Sequence, residues 1–219
     1  MIQDKSASLS RRLYAKLGKS GMMSLTNKKR DDASIKFILR FIKKSDKILD
    51  LACGYGRVSF PLMQKGFDIT GVDLSLNLIK EAKEEAKRKN LRIQFKMGDF
   101  REIPYPSENF NKIICLWSSF NHLLKKKDQI TALNEMYRIL KKKGLAVIDF
   151  PNGESKWAKE QIKLHGRVVP DIINNLEVFN YFHDKATLKE LGNKTKFRQE
   201  VKFNNIAGRR RIIWILKKI

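Results

Sequence analysis

Two rhythms of apolar and polar residues take turns along the chain. Short apolar runs at Ile48 to Leu51, Phe67 to Val72, Arg92 to Met97, Phe110 to Trp117 and Leu145 to Phe150 read as strands buried in a sheet. Between them lie segments in which apolar residues return at helical intervals. Asp32 to Lys44 carries Ile35, Ile38, Leu39 and Ile42. A helix capped by Ser75 and running through Lys89 carries Leu78, Ile79, Ala82 and Ala86, and Asp128 to Lys142 carries Ile130, Leu133, Met136, Tyr137 and Leu140. A further helix is expected from Arg57 to Lys65, ended by Gly66. Strands alternating with helices predict an α/β chain with a doubly wound parallel sheet.

The two ends of the chain follow other patterns. Ser8 to Arg30 is basic and helix-compatible, with Leu9, Leu13, Tyr14 and Leu17 on one face and interruptions at Gly18 and Gly21. Residues 151–185 lack clear periodicity and read as an insertion after strand five, with an aromatic run from Val178 to His183 that suits a cap, a dimer contact or an extra strand. Thr187 to Gly192 reads as a short helix. Lys196 to Phe203 and Arg209 to Leu216 then read as an antiparallel hairpin, which brings the sheet to seven strands in a single domain, 1–219, with residues 1–30 as a helical lid.

The first strand breaks into Asp50-Leu51-Ala52-Cys53-Gly54-Tyr55-Gly56-Arg57, where glycines permit a sharp turn and a close approach to a nucleotide-like ligand. Ser59 stands where a dinucleotide fingerprint wants its third glycine, and Asp50 would crowd a pyrophosphate but suits a ligand with an amino group. Both features favour S-adenosylmethionine over NAD. Asp73, ending the second strand, is placed to accept hydrogen bonds from ribose hydroxyls.

The segment from Asp50 to Gly56 resembles motif I of the class I S-adenosylmethionine-dependent methyltransferases, and Asp73 falls at their ribose position. The resemblance implies S-adenosylmethionine as cofactor, held by Asp50, Ala52, Cys53, Gly54, Gly56, Asp73, Leu74, Asp99, Phe100 and Leu116. Asp99 would meet the adenine amino group and Phe100 the ring, with Tyr14 of the leading segment at the amino-acid end. The loop Ser118-Ser119-Phe120-Asn121-His122-Leu123-Leu124 is similar to the one that follows strand four in small-molecule methyltransferases of the glycine and amino-sugar type. Trp117, Ser118, Asn121 and His122 are therefore acceptor-side candidates, joined by Tyr181 from the aromatic run. His122 is also a candidate general base, against the plainer reading of a hydrogen-bonded structural histidine. Asn111 departs from the Asp of most relatives, at a position that braces the motif.

Composition narrows the partners. Lysine and arginine number 46 against 23 acidic residues, a formal net charge of +23. Such an excess suits RNA, yet much of the lysine alternates with glutamate on helix faces, as from Lys80 to Lys87, which is how a solvated surface reads. A small-molecule acceptor is the leading expectation; an RNA acceptor, or a non-catalytic binder of cofactor or nucleic acid, is the alternative. No metal is expected, since His122, His165 and His183 are scattered. Two cysteines, Cys53 and Cys115, give no disulfide framework, and neither a secretory leader nor a membrane-length apolar stretch is present, so a cytoplasmic monomer or homodimer is expected.

Overall fold

The computed structural model describes residues 6–173 and 175–219, with side chains from residue 12 onward. The side chain of Leu9 therefore lies outside the described residues. Five strands, β1 (Lys47–Leu51), β2 (Asp68–Asp73), β3 (Gln94–Met97), β4 (Phe110–Cys115) and β5 (Leu140–Pro151), run parallel. With β8 (Arg198–Ile206) and β9 (Arg209–Lys217) they form one seven-stranded sheet in the order β3-β2-β1-β4-β5-β9-β8. β9 is antiparallel to both β5 and β8, so it alone runs against the rest.

The inner strands are near-continuous apolar runs because both faces of the sheet are covered there, whereas the edge strands β3 and β8 each bury a single residue. Neighbouring residues go to opposite cores: Leu49, Ile113, Ile148 and Ile212 to one, Ile48, Ile114, Val147 and Ile213 to the other. α5 (Lys126–Ile139) and α7 (Lys185–Gly192) close the first face through Leu133, Met136, Leu188 and Leu191. α2 (Lys28–Ile38) and α3 (Ser59–Gln64) close the second through Ile35, Ile38 and Leu62. α4 (Leu76–Arg88) lays Ile79, Ala82 and Ala86 on Phe95, and Ser75 caps it by accepting from the Leu78 N–H, as expected.

Several boundaries differ from the sequence reading. α2 begins at Lys28, where Asn27 accepts from the Arg30 N–H, and ends at Ile38 rather than Lys44. α5 ends at Ile139 because Leu140 already pairs with Phe110; Lys141 to Lys143 lead into β5, with Lys143 in the left-handed region at φ 62°. The glycine-loop helix starts at Ser59 instead of Arg57. Within 151–185 the chain forms α6 (Lys156–His165) and an antiparallel pair, β6 (Val168–Ile173) with β7 (Leu176–Tyr181). α6 escaped the sequence reading because Ala158 is its one buried residue, while Trp157 and Leu164 are exposed.

The leading helix, α1 (Ser6–Ser24), breaks at Gly18, whose φ of 53° and ψ of −170° suit only glycine. It is tied to α4: the Lys19 N–H donates to Glu81, Lys19 Nζ to Glu85 at 2.9 Å, and Asn77 Nδ2 to the Ala15 carbonyl.

Gly71 of β2 has no room for a side chain, since an added Cβ would lie 2.5 Å from the Phe95 ring and 2.8 Å from Cys53 Sγ. Gly71→Ala is expected to destabilise the protein by about 1–3 kcal/mol through overpacking, read as a lowered urea midpoint at unchanged slope.

Candidate functional site

The sheet order reverses between β1 and β4, and the crevice opens at the carboxyl ends of these strands. The loop after β1 needs left-handed backbone at Ala52 (φ 64°), Gly54 (φ 56°) and Gly56 (φ 89°). At Gly56 a Cβ would also stand 2.6 Å from the Phe60 ring. Ser59, in place of a third glycine, donates its hydroxyl proton to Asp50 Oδ2 at 2.7 Å. Burial pushes the Asp50 carboxyl up to about 6, with the Ser59 hydrogen bond and the Arg57 charge pulling it back.

Asp73 joins two turns. Its Oδ2 accepts from the Gly54 N–H and its Oδ1 from the Ser75 N–H, both at 2.8 Å. Burial raises its pKa and these backbone donors oppose the shift. A carboxylate has about four acceptor positions, so those not used remain for ligand hydroxyls.

The crevice encloses about 1030 Å³, counted with its open mouth. Tyr14, Asp50, Ala52, Cys53, Gly54, Asp73, Leu74, Asp99, Phe100 and Leu116 all line it; of the expected cofactor contacts, only Gly56 does not, and it shapes the turn beneath. Asp99 is gripped by Arg101, whose Nε and Nη2 donate to its two oxygens at 2.9 and 2.7 Å. Phe100 meets Phe120 edge-on at 6.1 Å. Cys53 is buried, and burial pushes its thiol well up.

The acceptor-side candidates divide. Trp117 and His122 line the crevice; Ser118 and Asn121 do not. Ser118 Oγ accepts from Arg211 at 2.6 Å, and the Asn121 carboxamide oxygen is buried without a hydrogen-bond partner. Tyr181 lines a separate small cleft with Lys126 and His183, because β7 turns that end of the aromatic run toward α5 and α7. His183 is buried there against Phe150 and Tyr181, which pushes its pKa down to about 3.

α1 covers the crevice. Leu13, Leu17 and Met22 pack with Tyr55, Leu78 and Val178, and Tyr14 Oη lies 2.6 Å from His122 Nε2. Burial, then the Asp73 charge, raises the Tyr14 pKa, while burial lowers that of His122, so the hydroxyl donates and the neutral imidazole accepts. The imidazole also hydrogen-bonds the Phe179 backbone carbonyl of β7. Sequence reasoning named both residues without pairing them. It missed Arg101 and Arg57 as crevice residues, since arginines in so basic a chain carry no distinguishing signal.

Residues 48–144 match the family described as "Methyltransferase domain". The glycine/sarcosine N-methyltransferase of Aphanothece halophytica is 32% identical over 126 residues, which cover 56% of this chain and 48% of that protein. The chain thus spans about half the length of the curated relatives it matches. Among solved structures, the PH0226 protein from Pyrococcus horikoshii OT3 has a TM-score of 0.73 at 25% identity, over 87% of this chain and 90% of that one. The 1,6-didemethyltoxoflavin-N1-methyltransferase of Burkholderia thailandensis, solved with 1,6-didemethyltoxoflavin and S-adenosylhomocysteine, has a TM-score of 0.75 at 16% identity, over 100% of this chain and 91% of that one.

The raised Asp50 value sets a pH dependence with a defined sign. Its contribution to stability is fully present below the ordinary value of 3.8 and is lost as pH rises through about 6. Asp50→Asn should therefore gain stability relative to the parent protein between pH 4 and 7, by on the order of 3 kcal/mol. Urea unfolding at both pH values checks this; a difference independent of pH would show that Asp50 stays ionised.

Proposed function

We propose that this chain, a class I S-adenosylmethionine-dependent methyltransferase by its sequence and its Rossmann-like fold, transfers a methyl group to a small-molecule acceptor at the Trp117 and His122 side of the crevice. The observation that carries this reading is the roof over the crevice, closed by the Tyr14 to His122 hydrogen bond. An enclosed pocket admits a small acceptor and keeps water away from the reacting atoms.

The residues present fit the cofactor. Unspent acceptor positions on Asp73 suit ribose hydroxyls, Phe100 and Leu74 offer apolar walls for a base, and Asp50 offers negative charge for an amino group. When bound, S-adenosylmethionine supplies a methyl group already activated by its sulfonium. The task left to the protein is alignment, which can lower a barrier by about 7–11 kcal/mol without a dedicated catalytic residue. His122, kept neutral by burial, has its Nε2 lone pair taken by the Tyr14 hydroxyl, so in the closed crevice it holds the cover in place.

Asp73→Ala should weaken S-adenosylhomocysteine binding at least about tenfold in calorimetry, because a hydrogen bond to a charged group contributes about 1.5–3 kcal/mol. Unchanged affinity would remove Asp73 from the cofactor site. With methyl-labelled S-adenosylmethionine and an extract of metabolites and RNA, the label should pass an ultrafilter; label released only by nuclease would overturn the small-molecule acceptor.

A further inference from the structure

The loop after β4 is surrounded by guanidinium groups. Trp117 and Ser118 both take left-handed backbone, at φ 69° and 66°. Arg57 lies over the Trp117 ring at 4.5 Å from its centroid and Arg30 at 5.8 Å. Arg211 holds the next residue, donating to Ser118 Oγ at 2.6 Å while its Nε and Nη2 reach Asp149 Oδ2 at 2.9 and 2.7 Å. Burial, and after it the charges of Arg209, Arg211 and Arg57, lower the Arg30 pKa against the opposing pull of Asp31.

The charges here do not balance. Asp31 is paired with Arg57 at 2.7 Å and Asp149 with Arg211, so two carboxylates face four guanidinium groups. Among the described residues, neither Arg30 nor Arg209 has a carboxylate within ion-pair distance. Arg30 spends one N–H on the Leu25 carbonyl at 2.9 Å, and a guanidinium has five to offer.

We propose that Arg57, on the wall of the crevice, and Arg30, which shares the Trp117 ring with it, form an anion subsite, and that the acceptor molecule carries a carboxylate or phosphate bound there. This rests on the reading of the crevice as a methyl-transfer site. The planar guanidinium fork matches either anion with paired hydrogen bonds, and the indole supports it from beneath. A small anion is favoured over a nucleic-acid backbone because the Arg57 side chain lines the crevice and is only 9% exposed. A ligand must enter to reach it. Asp149 and Arg211 act through the loop, as positioning residues for Trp117.

The test is calorimetric titration of the whole chain with inorganic phosphate and, separately, acetate, at constant ionic strength set by chloride. Saturable binding of either anion, weakened at least about fivefold in Arg30→Gln while S-adenosylhomocysteine affinity holds, supports the subsite, and the tighter anion identifies the acceptor's acidic group. Arg30→Lys keeps the charge but not the fork and should restore binding only in part. Equal, weak titrations of the parent protein and Arg30→Gln overturn the subsite even where the cofactor binds. Failure of S-adenosylhomocysteine to bind the parent protein would instead overturn the methyl-transfer reading, and the anion titration stands apart from it. Binding of an RNA decamer, weakened in Arg209→Ala, without phosphate or acetate binding overturns the small-anion proposal in favour of an RNA surface.

Discussion

One buried carboxylate ties the crevice together. Asp73 receives the Gly54 N–H from the loop after β1 and the Ser75 N–H at the start of α4, so the ends of two neighbouring strands are fixed relative to each other. Burying a charge is unfavourable unless hydrogen bonds replace the lost water, and two backbone donors supply them. Everything that meets the crevice from outside the sheet leans on this clip. α4 carries Glu81 and Glu85, which hold α1, and α1 carries Tyr14 to His122.

The cover is apolar where it packs and polar where it closes. Leu13, Leu17 and Met22 bury surface against Leu78 and Val178, while one hydrogen bond joins the helix to the loop after β4. Apolar burial sets the strength of such a contact, and the directional bond sets its register. The same loop meets α1 on one side and the arginines on another, so the cover and the crevice wall share the segment from Leu116 to His122.

The sheet could be read in the sequence because the inner parallel strands carry near-continuous apolar runs and β1 and β2 end in turns with their own chemistry, as at Asp50 and Asp73. Helices with a wide buried stripe, such as α4, were equally plain. What escaped was set by tertiary contact. α6 buries little beyond Ala158, and the end of α5 was decided by pairing of Leu140 with Phe110 rather than by its lysines. For the crevice, motif residues could be named one by one, but not the partners that long-range packing brings them, such as Arg101 for Asp99 and Tyr14 for His122. Ser59 is the instructive case: it is foreign to a dinucleotide loop and at home here as the partner of Asp50.

The one reversed strand ties the last three strands of the sheet into a dependence on one another. β8 joins the sheet only through β9, and β9 lies between β8 and β5, so the place of β8 in the sheet depends on the strand made after it. Asp149 depends on the same strand, because its ion-pair partner, Arg211, lies on β9. Without β9, β5 would have an open edge and Asp149 no counter-ion, so one long-range pairing closes both the sheet and its charge.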